Sequence, residues 1–133
     1  MGSRESGATD GAVSVLLVHG NGALRHALQM RLQLEPDISV VGGTAAPSEA
    51  LELAAAEQPA LVVVGAALLL EDGGSLVTRL TASAPATRVV ALIGDDDGTV
   101  KKLAETVGAS AVVSTLESPD RLLEALRGGA RQP

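Results

Sequence analysis

Few side chains in this sequence are of kinds that do chemistry, and their surroundings say what each could attempt. His19 ends an apolar run and precedes Gly20-Asn21-Gly22, a place where a base or a ligand would be useful. Two glycines between a strand and a helix also suggest a dinucleotide loop. Arg25, however, takes the place of the third glycine in G-x-G-x-x-G, and Gly42-Gly43 stand where an acidic residue should close the second strand. A plain strand-to-helix turn fits better, one whose helix start could still attract an anion. Asp95-Asp96-Asp97 place three carboxylates in a loop before a helix, which suits capping and dipole complementation better than a metal. Glu71 and Asp72 lie on a loop, and His26 on the wet side of a helix. No nucleophile–base pair emerges. Neither an enzyme nor a metal or cofactor site is expected.

These residues hang on an apolar framework centred on Ala60-Leu61-Val62-Val63-Val64-Gly65, followed by Ala66-Ala67-Leu68-Leu69-Leu70. The run does not alternate, Pro59 precedes it and Gly65 closes it. It reads as a central strand covered on both faces. Open α/β sheets place their chemistry at the carboxyl end of such a strand. Here that end carries Gly65, which has no side chain to offer.

Around this strand, Val13 to Val18 forms the first strand. A helix follows from Ala23, with Leu24, Ala27, Leu28, Leu32 and Leu34 on one side. Arg31 falls inside that stripe, a local conflict, and Glu35-Pro36-Asp37 ends the helix. Ile38 to Val41 is a short strand closed by Gly42-Gly43. Pro47 opens a helix to about Gln58 that buries Ala50, Leu51, Ala54 and Ala55. A loop holds Glu71-Asp72-Gly73-Gly74. Leu76, Val77, Leu80 and Ala84 then mark a third helix, stopped before Pro85. Arg88 to Ile93 is the fourth strand. Val100, Leu103, Ala104 and Val107 belong to a fourth helix ending at Gly108, a suitable left-handed cap. After the fifth strand, Ala111 to Ser114, Ser118-Pro119 start a final helix carrying Leu122, Leu123 and Leu126, which Gly128-Gly129 end. Residues 1–12 read as a flexible leader, 13–128 as one domain and 129–133 as a tail. Five β-α units with short connections call for a parallel sheet, right-handed crossovers and helices on both faces.

Composition narrows the function. The 133 residues are 46% hydrophobic, enough for one globular domain, yet contain no Phe, Tyr or Trp. Without aromatic platforms, single-stranded nucleic acid and RNA are disfavoured. A formal charge of −6 disfavours a phosphate backbone or an anionic membrane. The absence of cysteine removes disulfides, thiolate zinc sites and cysteine nucleophiles together. No secretory signal precedes Val13, and the longest apolar run is too short to span a bilayer. A soluble, cytoplasmic protein with no direct nucleic-acid or membrane contact is expected.

An ordered set of segments carries a resemblance. It comprises Val15-Leu16-Leu17-Val18, Leu34-Glu35-Pro36-Asp37-Ile38, Val40-Val41-Gly42 and Glu49-Ala50-Leu51-Glu52-Leu53-Ala54. Asp72-Gly73, Ala84-Pro85-Ala86-Thr87-Arg88-Val89, Gly108-Ala109-Ser110 and Pro119 with Leu122-Leu123-Glu124-Ala125 complete it. From Val15 to Arg127 the chain resembles the receiver domain of bacterial response regulators, in the branch that precedes a helix-turn-helix output domain. The resemblance implies a flavodoxin-like, CheY-like (βα)5 doubly wound parallel sheet of strand order 2-1-3-4-5.

It also implies a chemistry that this chain has lost. A working receiver holds Mg²⁺ on an acidic pair after the first strand. It offers an aspartate nucleophile after the third strand, a hydroxyl after the fourth and a lysine after the fifth. Those positions fall here on His19 and Gly20, Gly65, Ile93 and Thr115, and the switching aromatic of the fifth strand falls on Val112. Only Gly94, the small residue after the hydroxyl position, keeps the pattern. The chain therefore resembles a degenerate receiver with no phosphoacceptor. The space over Gly65 would either take a small molecule or fill with Leu68 or Leu69.

Receivers dock or dimerise through their fourth helix, fifth strand and fifth helix. The resemblance places that face at Thr99 to Val107, Ala111 to Thr115 and Ser118 to Arg127. It mixes Lys101, Lys102, Glu105, Arg121, Glu124 and Arg127 with aliphatic residues such as Val112. A protein partner or a second copy is the expected occupant, independent of phosphorylation. A small-molecule sensor, or the receiver part of a longer helix-turn-helix regulator, are the alternatives.

Overall fold

The computed structural model describes residues 12–94, 98–114 and 119–131, and of residues 119 and 129–131 only the backbone. Most of the expected leader, Asp95-Asp96-Asp97, Thr115 and Ser118 lie outside the described residues. Five parallel strands, β1 (Val13–Val18), β2 (Ile38–Thr44), β3 (Leu61–Gly65), β4 (Arg88–Ile93) and β5 (Ala111–Ser114), stand in the order β2-β1-β3-β4-β5. The helices between and after them are α1 (Gly22–Gln33), α2 (Pro47–Glu57), α3 (Ala66–Leu70), α4 (Ser75–Ser83), α5 (Gly98–Thr106) and α6 (Pro119–Arg131). This is the doubly wound α/β sheet expected from the sequence, strand order included.

Successive strand residues point to opposite faces, so each apolar run feeds two cores. Leu16, Val18, Val62, Val64 and Ala91 pack with Ala50 and Ala54 of α2, Leu69 of α3, Leu76, Val77 and Leu80 of α4, and Ala104 of α5. Val15, Leu17, Leu61, Val63, Val90 and Leu92 pack with Leu32 of α1 and with Leu122, Leu123 and Leu126 of α6. Every residue of β3 is buried, which is why it needed apolar side chains in both phases. Each such Val or Leu contributes about 1.5–3 kcal/mol by leaving water.

Several boundaries differ from the sequence reading. β2 does not stop at Val41 but runs through Gly42-Gly43 to Thr44. Val15 pairs with Val40 and Leu16 with Gly42, leaving Val41 as an extra, bulged residue. The glycines extend the strand because helices press on both sides of it. A Cβ at Gly42 would lie 3.4 Å from Leu53 Cδ1, and one at Gly43 3.4 Å from Arg25 Cδ. Ala66–Leu70 forms a helix that the continuous apolar run concealed, and Glu71–Gly74 is a tight turn in which Asp72 and Gly73 take left-handed backbone angles. α6 passes through Gly128-Gly129 to Arg131, against the expected stop. Two helical glycines cost roughly 1 kcal/mol each, which the burial of Leu122, Leu123 and Leu126 offsets. Some expected core positions face water instead: Leu34 at the end of α1, Ala55 on α2 and Leu103 on α5.

The conflict at Arg31 resolves on the seam between α1 and α6. Its Nη1 donates to Glu35 Oε2 at 2.8 Å, and its Nη2 lies 4.0 Å from Asp120 Oδ1. On the same seam Arg127 donates from Nε to Asp37 Oδ2 (2.7 Å), and from Nη2 to Asp37 Oδ1 (2.9 Å) and Glu35 Oε1 (2.8 Å). Arg127 thus faces the connection between α1 and β2, away from the docking face on which the sequence placed it. Hydrogen bonds from Arg31 and then Arg127 hold the Glu35 carboxyl below its ordinary range. Its contribution to stability is present above about pH 4.5 and is lost as pH falls through the folded-state value. Arg127→Met should lower the urea midpoint at low salt. The gap from the parent should narrow in about 1 M salt, where exposed charges are screened.

Candidate functional site

The carboxyl ends of β1, β3 and β4 meet where the topology predicts a site. Gly65 ends β3 with φ −62° and ψ 140°, an extended conformation open to any residue. Glycine is required there for a different reason. A Cβ at Gly65 would lie 2.7 Å from His19 Cδ2 and 3.1 Å from Nε2, so the imidazole occupies the space a side chain would need. The space directly over Gly65 is therefore taken, and by His19 rather than by Leu68 or Leu69. Those leucines belong to the core between the sheet and α2–α5.

The histidine is fixed on several sides. Its N–H donates to Thr44 O at 3.0 Å, joining it to the end of β2. Its carbonyl accepts from Arg25 Nη1 at 2.6 Å. Its Nδ1 accepts from Asn21 N–H at 3.0 Å, so that nitrogen carries no proton and the neutral ring keeps its hydrogen on Nε2. Burial first, and then the Arg25 guanidinium, push the ring below the ordinary histidine value. The stability gained from the neutral ring is present above about pH 6.5. It is lost as pH falls toward the lowered value.

Around this ring the turn is ordered by residues that the sequence reading passed over. Asn21 Oδ1 accepts from Leu24 N–H at 3.0 Å and caps α1. Thr44 Oγ1 accepts from Ala46 N–H (3.0 Å) and donates to Glu49 Oε1 (2.6 Å), tying β2 to α2. An Asn directly before a helical stripe is a readable N-cap signal. The path of Arg25 back to a carbonyl six residues earlier is not. That path carries the Arg25 guanidinium back over the turn, where a Cβ at Gly22 would lie 3.6 Å from its Nη2.

Of the remaining positions, Ile93 is buried at the end of β4, while Gly94 and Gly20 are exposed and have open space where a Cβ would stand. Thr115 lies outside the described residues. The site thus presents one imidazole, two exposed glycines, one covered glycine and an isoleucine. Mg²⁺ demands an octahedron rich in carboxylate or carbonyl oxygen, and the residues at the acidic-pair and nucleophile positions do not fit it. Among the described residues, no three His, Asp or Glu side chains converge as a metal ion would need.

The second candidate surface lies on α5, β5 and α6. Lys101, Lys102 and Glu105 are exposed on α5, as are Arg121 and Glu124 on α6, whose charged groups lie 3.7 Å apart. Leu103 adds an apolar side chain 47% exposed. Val112 is half-buried beneath this surface, packed against the core with Val107 and Ala109. A concavity of about 480 Å³ runs along Gly98, Thr99, Lys102 and Leu103. Among the described residues no helix is long and apolar enough to cross a membrane.

Neither a family model nor a curated protein matches the sequence. Solved structures do match. The signal receiver domain of the putative response regulator NarL from Mycobacterium tuberculosis superposes with a TM-score of 0.81 at 20% identity, over 92% of this chain and 98% of that one. The response regulator domain of Thermotoga maritima CheB gives 0.79 at 20% identity, over 92% and 98%. The isolated REC domain of RcsB from Salmonella enterica serovar Typhimurium gives 0.74 at 12% identity, over 87% and 86%. With a sheet ordered β2-β1-β3-β4-β5 and helices on both its faces, this chain has the fold of response-regulator receiver domains.

Proposed function

We propose that the chain is a receiver domain of two-component signalling whose output does not depend on phosphorylation. It acts as a docking module, meeting a protein partner or a second copy through α5, β5 and α6. The observation that carries this reading is the His19 ring lying against Gly65. An acyl phosphate needs a carboxylate at that position, metal-bound oxygens beside it and a water-accessible path. The ring takes the space, and positions 19 and 20 bring no oxygen ligands. The docking role rests on the exposed Lys101, Lys102, Leu103, Glu105, Arg121 and Glu124, one apolar side chain among charges of both signs.

The test is an incubation with acetyl phosphate and Mg²⁺, read by intact mass and by light scattering. The mass should not change, and the oligomeric state should vary with protein concentration alone. An added phosphoryl group would overturn the reading. A chain from Staphylococcus aureus described as a DNA-binding response regulator of the LuxR family has this fold at a TM-score of 0.75 and 16% identity. That likeness supports a second reading, in which the domain is the receiver part of a helix-turn-helix regulator and its partner is in cis.

A further inference from the structure

His19 joins several parts of the fold at the strand ends. It follows directly on β1, lies against Gly65 of β3, bonds the last carbonyl of β2 and takes a hydrogen bond from the first turn of α1. One of those contacts depends on the charge state of the ring. The Asn21 N–H can donate to Nδ1 only while that nitrogen keeps its lone pair.

We infer that the His19 ring is an acid-released latch, closed over Gly65 while neutral and driven off it when protonated. Protonation puts a hydrogen on Nδ1, so two donors face each other at the 3.0 Å separation now bridged by one hydrogen bond. It also places an imidazolium next to the Arg25 guanidinium, which is held close by its bond to the His19 carbonyl. Among the described residues, no carboxylate forms a hydrogen bond or ion pair with the ring. β3 brings Gly65 against the ring, and Ile93 at the end of β4 carries no charge. On α2 the Glu49 carboxylate is engaged by the Thr44 hydroxyl. Asp95-Asp96-Asp97 follow β4 and lie outside the described residues, and the test below includes them. Burial and Arg25 both act to keep the ring neutral at physiological pH, in line with a latch closed at rest.

Release has a local signature. The Asn21 N–H loses its partner and Gly65 loses its cover. The Asn21 side chain still caps α1 at Leu24, so the helix start survives. The latch works in the isolated chain and needs no partner, so its failure would leave the docking proposal untouched.

The experiment is a titration of the full chain by NMR, from about pH 8 to about pH 5, which brackets an ordinary histidine. The His19 ring and the amides of Asn21 and Gly65 should shift together with one midpoint below about 6.5. The Leu24 amide should not follow them. In His19→Asn the Asn21 and Gly65 amides should stop titrating in this range. A His19 midpoint at or above about 6.5 would overturn the latch. So would amides that ignore the ring, or amides that still titrate in His19→Asn, which would assign the change to other groups such as Asp95-Asp96-Asp97. If His19→Asn does not fold, the parent spectra decide alone.

Discussion

Gly74→Ala should destabilise the domain by about 3 kcal/mol, read as a lower urea midpoint at unchanged slope. Two independent effects act at this position. Gly74 has φ +85°, and an L-residue held in the left-handed region costs roughly 1–2 kcal/mol. Its missing Cβ also leaves room for Val107, just past the end of α5. A Cβ there would stand 2.7 Å from Val107 Cβ and 2.8 Å from its Cγ1. Overpacking of this kind adds about 1–3 kcal/mol. Because the obstacle is Val107 Cβ itself, no rotamer change relieves it. Val107→Ala in the Gly74→Ala background should therefore recover little of the loss. Full recovery would show that the side-chain methyls, and not the backbone approach, set the limit.

Gly65→Ala should cost about 2 kcal/mol, at the middle of the range for overpacking. Its origin differs from that at Gly74, since the Gly65 backbone is extended and accepts any residue. The whole cost comes from displacing His19 and its hydrogen bond from Asn21. In a His19→Ala background the same substitution should cost at least about 1 kcal/mol less, and a double-mutant cycle measures the difference. Gly65→Asp should fold no better than Gly65→Ala. It should also fail to take phosphate from acetyl phosphate and Mg²⁺, because His19 and Gly20 supply no carboxylate. Labelling of Gly65→Asp would mean that the site needs only its nucleophile restored.

The parts of the fold that follow from local patterning were legible. The unbroken Leu61-Val62-Val63-Val64 run announced a strand buried on both faces, and it is one. The strand order was not in any periodicity. It came from the ordered resemblance, because crossovers are set by packing between segments distant in the chain. Ala66–Leu70 was hidden because a short apolar run next to a strand has no period of its own. Gly42-Gly43 looked like a terminator, since close approach by Arg25 and Leu53 cannot be seen from glycine alone. The vacancy of chemistry at Gly65 was legible, but its occupant was not. His19 follows β1 and Gly65 ends β3, and the register that pairs Val18 with Val64 brings them together. Arg31 looked misplaced, although its nearest partner, Glu35, stands only four residues on; the more distant Asp120 comes from the last helix.

The bulge at Val41 has a further effect at the rim of the sheet. β2 is an outermost strand, and its extra residue interrupts the even spacing of amides and carbonyls that a newcomer strand would have to match. The opposite rim, β5, is only four residues long. Neither border is a good template for lengthening the sheet into a ribbon shared between molecules. Copies of this chain should therefore assemble helix against helix, and resist the edge-to-edge stacking that leads to fibrils.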